Sequence, residues 1–547
     1  MSPELLKTFY AAAGEYEIER NFVAHSSASS KAPMNLHPSY YAKVTPDHPA
    51  IMMAGSGKTV TYRQLDQASN LAAQLFRALG LKARDVVAVM IENCPEFLEL
   101  YWATQRSGLF FVPISTQFVA GEVAYIVNDC KARVLIVSHT FDSIARELAP
   151  RLPRITIPLS IHGDIPGYRR FDAMAQEQPN HPLPDVVAGY ELMYSSGTTG
   201  RPKGILKQYS PEPIDTGTMM FRRTVNLYHW TDETKYLSTA PLYHAIPLKF
   251  CASVGCAGGT TIIMEKFDTE EALDCLSRHR ITHSQWVPTM FVRLLRLPSS
   301  VKQRYDGSVH RYALHSAAPC SPQIKHEMIK WWGPMLYEYY GAVEGNSMTA
   351  IDSTEWLARP GSVGRPVSGI PHIVDDHGTE LPPGKPGTVY FDGPRFEYLN
   401  DPQKTQASRH LKGWSTVGDI GYVDEAGYLY LTDRRAFTII SGGVNIYPQE
   451  IENVLIGDAR VVDAAVIGVP NDEFGEEVKA IVQLLDWRDA SPELAEDLIR
   501  LCRSSLAGYK CPRSIEFDRN LPRQPNGKIQ KNALRDRYWG DRKSRII

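Results

Sequence analysis

TYRQLDQASNLAAQLFRALGLKARDVVAVMIENCPEFLELYWATQRSGLFFVPI, residues 61–114, alternates two kinds of pattern. Thr61 and Gln64 have the spacing of a capping box, in which a hydroxyl and an amide satisfy open N–H groups of a first helical turn. Behind them Leu65, Ala68, Leu71, Ala72, Leu75, Phe76 and Leu79 form one apolar stripe of helical spacing, and Gly80 ends it. Val86 to Ile91 is an unbroken apolar run of strand length. Pro95 fits the first turn of a helix reaching about Arg106, Leu109 to Ile114 is a second strand candidate, and Arg133 to Val137 a third. Strands without a polar face, separated by helices, predict parallel sheets covered on both sides and hence an α/β fold.

The texture changes near Thr432-Asp433-Arg434, where a strand-rich region ends. A Gly-Gly turn (Gly442, Gly443), a Pro-initiated helix from Pro448 to Leu455, more strands and a short helix follow. A boundary here predicts a large N-terminal domain of βα-layered sheets, residues 1–433, and a small α+β C-terminal lid, residues 434–547.

Hydrophobic residues make up 43% of the 547 and charged residues 22%, so a large core needs no staples. The net charge of −2 gives no reason to expect nucleic acid or an anionic membrane as partner. Cys94, Cys130, Cys251, Cys256, Cys275, Cys320, Cys502 and Cys511 are scattered without a C-x-x-C pair. They read as reduced, packed thiols of a cytoplasmic protein, with no zinc site. The N-terminus does not read as a secretory signal, and no run approaches the length of a membrane span. Monomer and homodimer both stay open.

Ala54-Gly55-Ser56-Gly57-Lys58-Thr59 imitates the end of a P-loop, but the position that should hold the first glycine is Met52. Lying between two short strand-like runs, it reads as a hairpin turn.

A stronger signal is Tyr194-Ser195-Ser196-Gly197-Thr198-Thr199-Gly200-Arg201-Pro202-Lys203-Gly204, with three glycines, four aliphatic hydroxyls and two cations in eleven residues. Glycines let backbone N–H groups turn toward an anion, and hydroxyls add donors. At ~4 Å and an effective dielectric of about 20, Lys203 would attract a phosphate by about 4 kcal/mol before desolvation. This segment resembles the phosphate loop of the adenylate-forming superfamily, which includes acyl- and aryl-CoA ligases, beetle luciferase and peptide-synthetase adenylation domains.

Further elements similar to that superfamily's follow in its order, covering roughly Thr61 to Leu534. Ser316-Ala317-Ala318-Pro319 resembles one wall of the adenine slot. Tyr337-Glu338-Tyr339-Tyr340-Gly341-Ala342-Val343-Glu344 resembles the other, with an aromatic on adenine and Glu344, with Thr198, on the Mg²⁺ of the triphosphate. Gly418-Asp419-Ile420-Gly421-Tyr422 resembles the element whose Asp takes both ribose hydroxyls, and Asp433-Arg434 the hinge entry whose Arg also reaches the ribose. Pro522 to Ile529 resembles the C-terminal loop whose catalytic lysine maps to Lys528. Tyr243-His244-Ala245 resembles the element whose His lies between acid and nucleotide. Each alone has a plainer reading: Asp419 as a turn residue, Arg434 as a surface ion pair, His244 as a packed histidine, Lys528 as a solvated lysine.

The resemblance implies that ATP, with Mg²⁺, converts a carboxylic acid to an acyl-adenylate and that coenzyme A then takes the acyl group. Catalysis would fall to Lys528, Glu344, His244 and Thr199. The nucleotide would be held by Ser195, Ser196, Gly197, Thr198, Thr199, Gly200, Lys203, Ala317, Ala318, Pro319, Tyr339, Tyr340, Gly341, Asp419, Arg434 and Lys528. Gly442 and Gly443 would serve the thioester step once the lid rotates. Arg435-Ala436-Phe437 departs from the charged hinge of many relatives. It reads either as an apolar hinge contact or as an impaired rotation that leaves a poor thioester step.

Tyr243, His244, Ile246, Leu248, Phe250, Gly341 and Val343 are expected around the acid. With no Arg or Lys evident there, a hydrophobic monocarboxylate is expected: a fatty, aryl, terpenoid or steroid side-chain acid. No carrier domain follows Lys528, which disfavours a peptide-synthetase unit. A luciferase-type oxygenase and a non-catalytic ATP-binding module are the rival functions.

Overall fold

The computed structural model describes residues 35–540 apart from 155, 196–201, 210–211, 435–436, 442–443, 472–473 and 524–526, and at 433, 434 and 445 the backbone only. The helix Tyr62–Ala78 opens with the capping box. Gln64 N–H donates to Thr61 Oγ1 (3.3 Å), and Thr61 N–H donates to Gln64 Oε1 (2.9 Å). Its apolar stripe buries Leu65, Ala72, Leu75 and Phe76. The strand Val86–Met90, buried at every position, the helix Pro95–Gln105 and the strand Phe110–Pro113 follow as the pattern requires.

Val86–Met90 stands inside a six-stranded sheet ordered Arg169–Arg170, Ile157–Ile161, Val134–Ser138, Val86–Met90, Phe110–Pro113, Tyr190–Glu191, every pair parallel. A second sheet of thirteen strands has a parallel half: Pro49–Met53, Thr260–Ile263, Lys235–Ser238, His283–Trp286, Tyr312–His315 and Leu336–Tyr340. Beyond Leu336–Tyr340 it continues antiparallel through Met348–Asp352, Ser362–Ser368 and Leu429–Arg434 to Asp419–Val423. Helices Tyr62–Ala78, Pro95–Gln105 and Ala245–Ala257 share one core with both sheets. There Phe76, Phe97, Tyr101, Phe111, Tyr236 and Phe250 are fully buried. Each such side chain contributes about 1.5–3 kcal/mol relative to exposure.

A small three-stranded sheet places Lys203–Lys207 between Phe396–Tyr398 and Met193–Ser195, both antiparallel. The C-terminal part has its own five-stranded sheet, made of Val444–Ile446, Ile439–Ser441, Gly475–Leu484, Val461–Asn471 and Ser514–Phe517. Its core includes Ile439, Ile451, Val466, Ala480 and Leu498. Leu429–Arg434 thus belongs to the large sheet and Ile439–Ser441 to the small one.

All eight cysteines are free; seven are buried and Cys320 half-buried. Among the described residues no helix is long and apolar enough to cross a membrane.

Gly55 to Lys58 turns between the antiparallel strands Pro49–Met53 and Thr59–Thr61. The Gly55 and Ser56 N–H groups both donate to the Glu265 carboxylate at 2.9 Å, and Lys58 pairs with Glu96 at 2.7 Å. The chain's own acids occupy the donors a phosphate would need. With the ATP site that the resemblance implies lying elsewhere, Lys58→Ala is expected to leave the KM for ATP within about twofold and to change stability by less than ~1 kcal/mol, as an exposed pair does. A tenfold rise in KM in a steady-state assay would return the turn to the phosphate site.

Candidate functional site

The six-stranded sheet and the parallel half of the second sheet direct their carboxyl ends at one cavity of about 920 Å³. It is lined by residues at or just beyond five strand ends: Ser115, then Ala240, Tyr243 and His244, then Gln285 and Val287, Ser316 and Ala317, and Gly341 to Gly345. Ligands of open α/β sheets bind at this end, because strand backbones stop there and loops are free to vary.

Lys203 opens the strand Lys203–Lys207, in register with Ser195 across the small sheet. Both line the cavity. Lys203 Nζ is 2.9 Å from Asp401 Oδ2 and lies 5.9 Å from the centroid of the Tyr398 ring. Asp401 caps the helix Pro402–Ala407. The backbone N–H of Lys404, then Lys203, hold the Asp401 carboxyl below its usual range. The Tyr398 hydroxyl donates to Glu344 Oε1 at 2.9 Å. A single strand, Phe396–Tyr398, thereby ties the lysine strand to the glutamate loop. Asp401, Tyr398 and Lys404 went unnoticed in sequence, since they fall in no resembling element and no periodicity marks them. Ser196, Gly197, Thr198, Thr199 and Gly200 lie outside the described residues. Glu344 presents hard carboxylate oxygens to the cavity beside a lysine, a donor type that fits Mg²⁺.

Across the cavity, Ala317 holds a φ of +74°, where a bulkier side chain would be strained. Ala317, Tyr339 and Gly341 reach the cavity wall. Ala318, Pro319 and Tyr340 are not among its lining residues. The Tyr340 hydroxyl instead donates to Asp419 Oδ2 at 2.6 Å. Asp419, buried on the strand Asp419–Val423, is the register partner of Arg434, which brings the two expected ribose residues to one rung of the sheet.

On the acid side Tyr243, His244, Ile246 and Val343 line the cavity, whereas Leu248 and Phe250 are fully buried in the core and do not. Helix Ala245–Ala257 is buried on nearly every face, so its sequence carries no amphipathic signal to separate cavity from core. His244 precedes that helix with its Nε2 unpartnered, and burial pushes its pKa down to about 4. The ring is therefore neutral at pH 7. The expectation of an acid pocket without lysine or arginine is corrected. Lys207, Lys249, Arg222 and Arg223 line the same cavity, together with Trp102, Met219 and Met220. Lys207 sits on a strand and Lys249 on an apolar helix, so neither belongs to a motif.

Lys528 faces the cavity from the small domain, with Arg523 and Gln530. Arg296 on the large domain donates to the Val461 carbonyl at 2.6 Å. Gly527, at φ +83°, packs where a Cβ would lie 2.7 Å from Thr289 Oγ1. Phe437 lies under Lys531 Nζ, 5.6 Å from the ring centroid, and Lys531 pairs with Glu452 at 2.7 Å. Arg435, Ala436, Gly442 and Gly443 lie outside the described residues, as does the Arg434 side chain.

The AMP-binding enzyme profile matches residues 39–396, and that of the AMP-binding enzyme C-terminal domain matches residues 450–528. The fatty acid–[acyl-carrier-protein] ligase ScoC of Streptomyces coeruleorubidus is 31% identical, covering 92% of this chain and 96% of that one. A feruloyl-CoA synthase of Amycolatopsis sp is 32% identical over 91% of this chain and 97% of its own. The structure of o-succinylbenzoate CoA synthetase from Bacillus subtilis, in complex with its acyl-adenylate intermediate, superposes with a TM-score of 0.76. It is 26% identical, covering 92% of this chain and 98% of that one.

The depressed pKa of His244 has a measurable sign. Between pH 6.5 and about 4 the unfolded chain takes up a proton that the folded ring refuses, so this group lowers stability as pH falls through that window and has no effect above it. With ¹³Cε1-labelled histidine, the His244 resonance is expected to titrate near pH 4. A midpoint near 6.5 would mean that the ring is solvated.

Proposed function

The chain belongs to the AMP-binding enzyme family, and from that premise we propose that it is an ATP-dependent acid–thiol ligase. It joins a hydrophobic carboxylic acid first to AMP and then to coenzyme A, releasing pyrophosphate and AMP. The observation that carries this reading is the approach of Lys203, Glu344 and Lys528 to one cavity from three separate parts of the chain. The ScoC relative favours a second acceptor, the thiol of an acyl-carrier protein.

A carboxylate oxygen attacks the α-phosphorus of ATP. The bond from that phosphorus to the oxygen bridging toward the β-phosphate breaks, and pyrophosphate leaves with the electron pair. Lys528 bridges the reacting carboxylate and phosphate oxygens, and its fixed charge stabilises the developing anion. Lys203, with Ser195, Ser196, Gly197, Thr198, Thr199 and Gly200, holds the departing phosphates. Glu344 and Thr198 would hold Mg²⁺, which would supply neutralisation of the triphosphate charge. Tyr339, Ala317 and Gly341 border adenine, with Ala318, Pro319 and Tyr340 behind them, and Asp419 with Arg434 takes the ribose. Neutral His244 stands between the acid and the nucleotide without adding a charge of its own. In the second step the thiol sulfur attacks the acyl carbon, the acyl C–O bond to AMP breaks, and the thiol proton passes to solvent.

We place the division between the two parts at residues 433 and 434. The small domain, turning there, withdraws Lys528 and presents Gly442 and Gly443 for the thioester step. Phe437 is seated against the Lys531 ammonium within the small domain, which supports a packed hinge aromatic over an impaired rotation, although the contact is cation–π rather than apolar. Eight unpaired thiols accord with a cytoplasmic location.

Acid-dependent exchange of labelled pyrophosphate into ATP tests the first step, and silence across a broad acid panel would defeat it. Lys528→Ala is expected to slow adenylation at least ~100-fold, the order of a lost charge-stabilising donor, while thioester formation from supplied acyl-adenylate persists. Equal loss of both steps would reject the two-step lid.

A further inference from the structure

The acid side of the cavity carries charge that the activation step leaves unused. Lys249 interrupts a buried apolar run, with Pro247, Leu248, Phe250 and Cys251 beside it, and is 9% exposed. Lys207 lines the same cavity, close enough for the positive charge of Lys249 to act on it. The end of Lys207 fills the space that a side chain at Gly345 would take: a Cβ there would lie 2.8 Å from both Cε and Nζ. Gly345, at φ +71°, is thus needed twice, for its backbone and for the room it leaves.

Among the described residues no carboxylate stands within 4.0 Å of either lysine. Glu191 acts on Lys207 from further away, and its Oε1 already accepts a 2.6 Å hydrogen bond from Tyr101. Arg223 adds positive charge to the same neighbourhood. Arg222 is occupied with Glu212 at 2.9 Å. Gln105, 8% exposed, lines the same cavity with an Nε2 that has no partner.

An ammonium group removed from water without a counter-charge destabilises a fold, and a like charge beside it adds to the cost. Lys207 is half-buried on the cavity wall, and desolvation together with the charge of Lys249 holds its pKa well below the ordinary lysine value. Local violations of this kind are tolerated where a ligand completes the site. We propose that the acid this protein activates, hydrophobic along its body, carries a second carboxylate, and that Lys207 and Lys249 hold it while the first carboxylate reacts. The proposal rests on the ligase reading and narrows its substrate to dicarboxylic acids.

Matched acids test it with the full chain by pyrophosphate exchange: hexanoic against adipic, octanoic against suberic, decanoic against sebacic, benzoic against terephthalic. In at least one pair the diacid is expected to have a kcat/KM at least about tenfold above its monoacid. Lys207→Met and Lys249→Met are each expected to lower that ratio at least about tenfold, while Lys249→Arg, which retains the charge, restores most of it. The wild-type comparison decides even if a variant fails to fold. Monoacids used as well as diacids in every pair would overturn the proposal and leave the ligase intact. So would Met variants that lose both acids together, since that assigns the lysines to the reacting carboxylate. Exchange with neither acid of any pair would remove the ligase reading itself.

Discussion

Opposite charges placed in one cavity attract, and left alone they would pair and close it. Lys203 and Glu344 both face the same space, and at ~4 Å such a pair would gain about 4 kcal/mol at an effective dielectric of 20. Each is engaged elsewhere: the lysine with Asp401, the glutamate with the Tyr398 hydroxyl. Both partners come from the same short stretch of chain, residues 398–401. That stretch works as a spacer, keeping a cation and an anion available to a ligand that needs both.

The surrounding architecture follows from strand direction. Parallel strands all end on one side of a sheet, so the loops that leave them meet without long excursions. Here two such sheets end on a common cavity, and the helices between them bury enough apolar surface to keep the loops in register. The small domain adds Lys528, with Arg523 and Gln530, from outside this frame, so these groups are held by a different sheet from the rest of the site.

The regular parts of this design were legible in the sequence. A capping box, a helical stripe and unbroken apolar runs fixed the first layers, because their periods report directly on which face is buried. The false phosphate loop was also readable, through Met52 and its place between strands. The acid pocket was not. Helix Ala245–Ala257 is apolar throughout, so its pattern could not separate Leu248, which lies in the core, from Ile246, which lines the cavity. Lys207 and Lys249 are adjacent only in space. Asp401 acts through a cap and an ion pair rather than a motif, and no spacing announces either.

The contact between Gly527 and Thr289 sets a limit that is mechanical rather than chemical. The small domain meets the large one here as bare backbone against a hydroxyl, and a Cβ at Gly527 would crowd it. The neighbouring residue in the chain is Lys528, whose reach into the cavity is measured from that stop. In this arrangement the approach of that loop to the large domain is gauged by the thickness of a missing methyl group. A side chain at position 527 would wedge the two surfaces apart and change the distance that Lys528 has to span.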